Sequence, residues 1–251
     1  MIFHFFALPM RYIFICVLFL LHTITGKSQG TRLPATYSSP YPFYQLYQLD
    51  SIGNSNSISR YFGRLYFTFL QSIEQQLAPA DAATKQLVRR FEKTFAQFYI
   101  NACEAYCRRD SIEIREWGAY FSDTLLQPIQ YKLLGTNAHL NGGLWQALTH
   151  SFSGEEMNQL RSEFVIFKRS LNQTYKLVYR EAVQTNQKVN GLRKLSLGIS
   201  EWIGNYYLYK WRKRQMKLAK FYWSASPRYS FLLEKIRRKK LKIDWLIIHT
   251  L

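Results

Sequence analysis

The chemistry in this chain gathers in one short segment. Leu133-Leu134-Gly135-Thr136-Asn137-Ala138-His139-Leu140-Asn141-Gly142-Gly143-Leu144 sets one imidazole between two carboxamides and flanks them with three glycines. Each glycine inside a helix costs about 1 kcal/mol relative to alanine, so three together call for a reason. On a continuous helix Gly135, Gly142 and Gly143 lie close around His139 and strip its surroundings of side chains, leaving a backbone-lined groove. Asn137 and Asn141, one turn apart, share the face of Leu133, Leu140 and Leu144 and so point inward. Buried amides need partners, which predicts a polar network there. By the helical step of about 100° per residue, that face is opposite His139. Either the helix breaks at the glycines, or His139 finds its partners on another helix. A structural alternative has Gly142-Gly143 end the helix, with His139 a hydrogen bonder near its terminus. The functional alternative makes His139 an acid–base group or ligand, assisted by Asn137 and Asn141.

Elsewhere the chemistry is sparse. No two histidines sit three to five residues apart, the spacing that lets one helix present both to a metal. His139 and His150 are separated by about 16 Å along a helix axis. Cys103 and Cys107, one turn apart, read as two small thiols, since a bridge within one helix is strained. Glu155-Glu156 suits a helix start better than acid–base work. No nucleophile elbow, phosphate loop or paired-carboxylate site is present, and neither a metal nor a cofactor is expected.

The run from Gln130 to Asn141, with its Asn-Ala-His-hydrophobic-Asn core, resembles the signature of an uncharacterised, mostly bacterial all-helical family. Weaker similarity extends over most of residues 60–220, including Phe62-Gly63-Arg64-Leu65-Tyr66, Arg90-Phe91 with Phe95 and Tyr99, and the stretch around Trp211. The resemblance implies an all-helical fold and supplies no established activity. The family pattern carries a histidine where this chain has Tyr131 and an aspartate where it has Gly143. Those two groups would give relatives a metal or acid–base site. This chain keeps His139 and the two asparagines.

Around that segment the sequence calls for helices. Phe62, Leu65, Tyr66, Phe69, Leu70, Ile73 and Leu77 recur at three- and four-residue spacing, and Pro79 ends that helix. Asp81 is placed to cap the next, with the stripe Leu87, Phe91, Phe95, Phe98, Ala102 and Tyr106. A shorter helix is expected over about Ser111 to Leu126, and Pro128 opens another. Ser153 and Glu156 form a capping box, with Phe152 and Met157 as its hydrophobic staple. The helix that follows should end before Asn190-Gly191. A further helix runs to about Trp223, and Ser226-Pro227 starts the last. The expectation is an all-α, single-domain bundle of about six helices over residues 59–251.

The N-terminus reads as a targeting segment. Arg11 precedes the ten apolar residues 12–21, and mostly small, polar residues follow to Gly30. That is the layout of a secretory signal over residues 1–30, with Met10 an alternative start. The other reading is an uncleaved N-terminal membrane anchor. Residues 31–58, with Pro34, Pro40 and Pro42, suggest an extended linker.

The net charge of +18 is placed unevenly. Residues 164–251 carry 20 basic and 4 acidic side chains, whereas residues 31–163 balance. Between Lys210 and Lys242 there are 13 basic residues and one acid, Glu234. On a helical wheel Tyr207, Leu208, Trp211, Leu218 and Tyr222 gather on one side. Lys213, Lys217 and Lys220 gather on the other, with Lys210 and Arg214 on a flank. A second cationic run, Arg237, Arg238, Lys239 and Lys240, sits among Phe231, Leu232, Ile236 and Leu241, read as its packing residues. The bland reading is a core helix with a solvated face. The functional reading is an exported, envelope-associated protein that binds anionic lipid or an acidic macromolecule through these cations. Nucleic acid ranks below lipid, because no groove-reading motif is visible. The alternative function is a helical enzyme, such as a hydrolase, using His139 with Asn137 and Asn141.

Overall fold

The structure, a computed structural model, describes residues 58–108, 116–122, 125–159, 162–185, 187–196 and 199–250. The expected leader and all of the linker except Ile58 lie outside the described residues. Among those described, every regular element is helical. In chain order they are α1 (Ser59–Leu77), α2 (Ala82–Arg108), α3 (Gly118–Phe121), α4 (Pro128–Asn137), a π-helical turn (Ala138–Gly143), α5 (Leu144–Ser151), α6 (Gly154–Gln159), α7 (Ser162–Thr185), α8 (Gln187–Leu195), α9 (Ile199–Trp223) and α10 (Arg228–Thr250). Since α4, the π turn and α5 run on without a break, the described residues form an all-α domain with six long helices and three short ones among them.

The ends of these helices follow local sequence rules. Asp81 accepts from the Thr84 backbone N–H at 2.8 Å and caps α2. Pro128 stands at the start of α4. Ser153 and Glu156 close a reciprocal capping box, with Ser153 N–H to Glu156 Oε2 at 2.8 Å and Glu156 N–H to Ser153 Oγ at 3.1 Å. Phe152 and Met157, the two staple residues, are both buried. Helices α9 and α10 form a hairpin. Ser226 N–H bonds Phe221 C=O and Ala225 N–H bonds Tyr222 C=O, the paired bonds of a Schellman ending, with Ala225 at φ 47°.

Helix α7 ends at Thr185, before Asn190-Gly191 as expected, and the short helix α8 then runs through that pair. The piece expected from Ser111 to Leu126 is helical only over α3, residues 111–115 and 123–124 lying outside the described set.

The α4–π–α5 rod is the central helix. Helix α1 packs on α4 and α7, α2 and α9 pack on α5, and α10 packs on α4 and the π turn. A rod packed against helices on most sides must be apolar or satisfied over that surface. Ile129, Tyr131, Leu134, Ala138, Leu140, Leu144, Ala147 and Leu148 are accordingly all buried. Two glycines of the rod permit close approaches. A Cβ on Gly135 would lie 2.5 Å from Phe62 Cδ2, and one on Gly142 would lie 2.6 Å from Glu116 Cβ. These glycines therefore admit neighbouring side chains rather than leaving a groove.

Candidate functional site

His139 sits in the π turn and points toward α1 and α2. Its ring stacks on Phe95 with centroids 3.5 Å apart and meets Tyr66 edge-on at 4.4 Å. Phe62 at 5.3 Å and Trp117 at 6.0 Å complete an aromatic box. The ring is 4% exposed, and neither nitrogen has a hydrogen-bond partner among the described residues. Burial holds its pKa well below the usual histidine value, so it stays neutral. The helix neither breaks at the glycines nor brings His139 a polar partner. Instead it widens locally, a distortion frequent at functional sites.

Two groups that sequence reasoning missed share this interior. Glu92, one turn before Phe95, is buried with an unpartnered Oε1, and the Tyr66 hydroxyl is likewise unpartnered. Burial, with a smaller contribution from Glu74, raises the Glu92 pKa well above the carboxylate range. Burial and then Glu92 raise that of Tyr66. The signal for Glu92 was available, since it stands in phase with Val88, Phe95 and Tyr99 on the buried stripe of α2. Among the described residues no group of three or more His, Cys, Asp or Glu is placed to hold a metal.

Asn137 and Asn141 face the other way and form the expected network. Asn137 Nδ2 donates to Asp244 Oδ1 at 2.7 Å and to Lys240 C=O at 3.0 Å, both on α10. Asn141 Nδ2 donates to Asn137 Oδ1 at 2.7 Å, and Gln215 Nε2 of α9 donates to Asn141 C=O at 2.9 Å. Lys240 Nζ completes the set with an ion pair to Asp244 Oδ2 at 2.6 Å. Gln130 adds Nε2 to Ile247 C=O at 2.9 Å. The two asparagines are thus a clamp that fastens α9 and α10 to the central rod, and the structure does not join them to His139 as one site.

The network also corrects the cation assignment. Lys240 is 4% exposed and paired, so it belongs to the interior and not to an anion-binding surface. Its neighbours divide differently. Lys213, Lys217, Lys220, Arg238 and Lys239 are exposed, and Lys210, Arg214 and Arg237 are half-buried. Partial desolvation beside the neighbouring helix lowers the Lys239 pKa, and repulsion from Arg214, Lys210 and Lys235 lowers it further. Cations of α9 and α10 therefore face one another along the seam of the hairpin. The packing residues differ as well. Ile236 is buried, but Phe231 is 72% exposed and Leu241 60%. Trp202, Tyr206, Tyr209, Tyr222, Trp223 and Trp245 also stand exposed on these two helices.

Cys103 is buried and Cys107 exposed, and the two are not bridged. Tyr131 is buried against the rings of Tyr61 and Tyr120. A Cβ on Gly143 would make only ordinary contact with Phe95.

The sequence matches a family described as a family of unknown function, DUF5995, over residues 45–250, and the chain belongs to that family. No curated protein and no solved structure matches it.

Proposed function

We propose that this member of the family is a peripheral membrane-binding protein whose α9–α10 hairpin docks on anionic lipid. One observation carries the reading: exposed cations and exposed aromatic side chains share the two helices, and the only acid between Lys210 and Lys242 is Glu234. Glu234 is already paired with Arg238 at 2.7 Å. Cations alone would suit any polyanion. Aromatic rings exposed among them suit the membrane interface, where an amphipathic ring rests at headgroup level. No described helix is long and apolar enough to cross a membrane. On this reading the hairpin lies on the bilayer, and the N-terminal segment, as signal or anchor, brings the chain to an envelope.

Co-sedimentation with vesicles tests the reading. Binding to vesicles containing phosphatidylglycerol is expected at low salt, falling as added salt screens the charges within about 8 Å at physiological strength. Replacing Lys213, Lys217, Lys220 and Lys239 with Gln removes about 4 kcal/mol, near a thousandfold in affinity. Binding that ignores salt and these substitutions overturns the reading, as does tighter binding to duplex DNA in the same buffer.

The buried, unpartnered atoms of Tyr66, Glu92 and His139 favour a second reading, a helical enzyme centred on His139. Against it, Asn137 and Asn141 are engaged in the clamp and the ring is enclosed. His139→Phe leaves vesicle binding unchanged under the first reading.

A further inference from the structure

We propose that the cleft between α9 and α10, beside their turn, binds a single anionic phospholipid, with its phosphate among Lys217, Arg228 and Lys235 and an acyl chain over Phe221, Phe231 and Leu232. This names the ligand of the docking face and rests on the membrane reading above. The six residues line a cleft of about 330 Å³, within the range of small-molecule sites. Three are cations, three are apolar, and none is acidic.

The arrangement is that of an amphiphile's complement. Lys217 Nζ lies 5.3 Å from the Phe221 ring centroid and Lys235 Nζ lies 5.9 Å from that of Phe231. The ammonium groups rest over the rings they would share with a ligand, a geometry that costs little to lift toward a phosphate. Arg228 is the first residue of α10, so the positive end of that helix adds to the field. Farther along the same seam Lys239 is pressed by Arg214, Lys210 and Lys235, and an anion placed there relieves that repulsion. Free phosphate would satisfy the charge but leave Phe231, 72% exposed, in water. An acyl chain covers it.

Calorimetric titration of the full chain with monomeric dihexanoyl phosphatidic acid tests the cleft, with dihexanoyl phosphatidylcholine and inorganic phosphate alongside. Saturable one-to-one binding of the phosphatidic acid is expected, at least tenfold tighter than either control. Phe231→Ser removes exposed apolar area and no charge. It should weaken that binding about tenfold or more, a loss of the size of one ring contact. Absence of saturable binding overturns the proposal, as does phosphate binding as tightly or an unchanged affinity in Phe231→Ser. Loss of wild-type adhesion to anionic vesicles would instead overturn the membrane reading itself, so the two failures are separable.

Discussion

Lys240→Met should be among the most damaging substitutions of any cation in the chain. The ammonium pairs with Asp244 at 2.6 Å, and both side chains are nearly sealed, at 5% and 4% exposure. Methionine preserves the apolar stem and the helix propensity, so the loss is confined to the charge. What remains is a buried carboxylate held by Asn137 Nδ2 alone. Removing one partner of a buried pair costs about 3–5 kcal/mol. In a domain of this size that lowers Tm by roughly 6–20 °C. Arg238→Gln breaks an ion pair of similar length, but its side chains are 75% and 53% exposed. Such pairs contribute about 0–1 kcal/mol, so the two substitutions should differ several-fold. The pH dependence sharpens the test. Burial raises the Asp244 pKa, with Lys240 and Asn137 opposing. An acid raised in the folded state holds its proton more tightly than the unfolded chain does. Its penalty is therefore absent below about pH 4 and grows as pH rises. The Lys240→Met deficit should be larger at pH 7.5 than at pH 4.5 in urea titrations followed by circular dichroism. Lys240→Met with Asp244→Leu should recover most of it, because replacing both charges leaves none unpaired. A deficit under about 1 kcal/mol, or one equal at the two pH values, refutes a buried coupled pair.

Four other outcomes follow from the interior and the hairpin turn. The raised pKa of Glu92 makes its stability contribution fall as pH rises above about 4.5, and the lowered pKa of His139 makes its contribution fall as pH drops below about 6.5. Glu92→Gln should therefore flatten the alkaline side of the stability profile and His139→Phe the acid side, both read from urea midpoints across pH. Gly135→Ala forces the Phe62 ring aside and should destabilise by about 1–3 kcal/mol, despite alanine's better helix propensity. Ala225→Gly should raise stability by about 0.5–1 kcal/mol, since a left-handed φ of 47° strains alanine and not glycine; an unchanged or lower urea midpoint would contradict the turn geometry.

The helices and many of their caps were legible in the sequence, because a cap is a contact between residues two or three apart. Asp81 with Thr84 and Ser153 with Glu156 depend on nothing outside one turn. Hydrophobic period likewise identified Phe62, Tyr66, Leu70, Ile73 and Leu77 as buried on α1. The inward direction of Asn137 and Asn141 was also readable, since their face is shared with leucines. The burial of Lys240 had a signal too, since it stands in phase with Ile236, Ile243 and Ile247 and four residues before Asp244, whereas Lys239 is a step of about 100° away and exposed.

By itself, then, the sequence determined the helical class, the capped starts, the concentration of charge in the last third and the inward asparagines. Each is a property of residues within about one turn, or of composition, and needs no partner element. Tertiary structure alone decided that Gly135 and Gly142 admit Phe62 and Glu116, that His139 is boxed by rings from α1 and α2, and that Phe231 lies exposed beside the seam cations. Those outcomes depend on which side chains distant helices bring to one point, and burial of a charge or a ring is a property of that meeting, not of the residue.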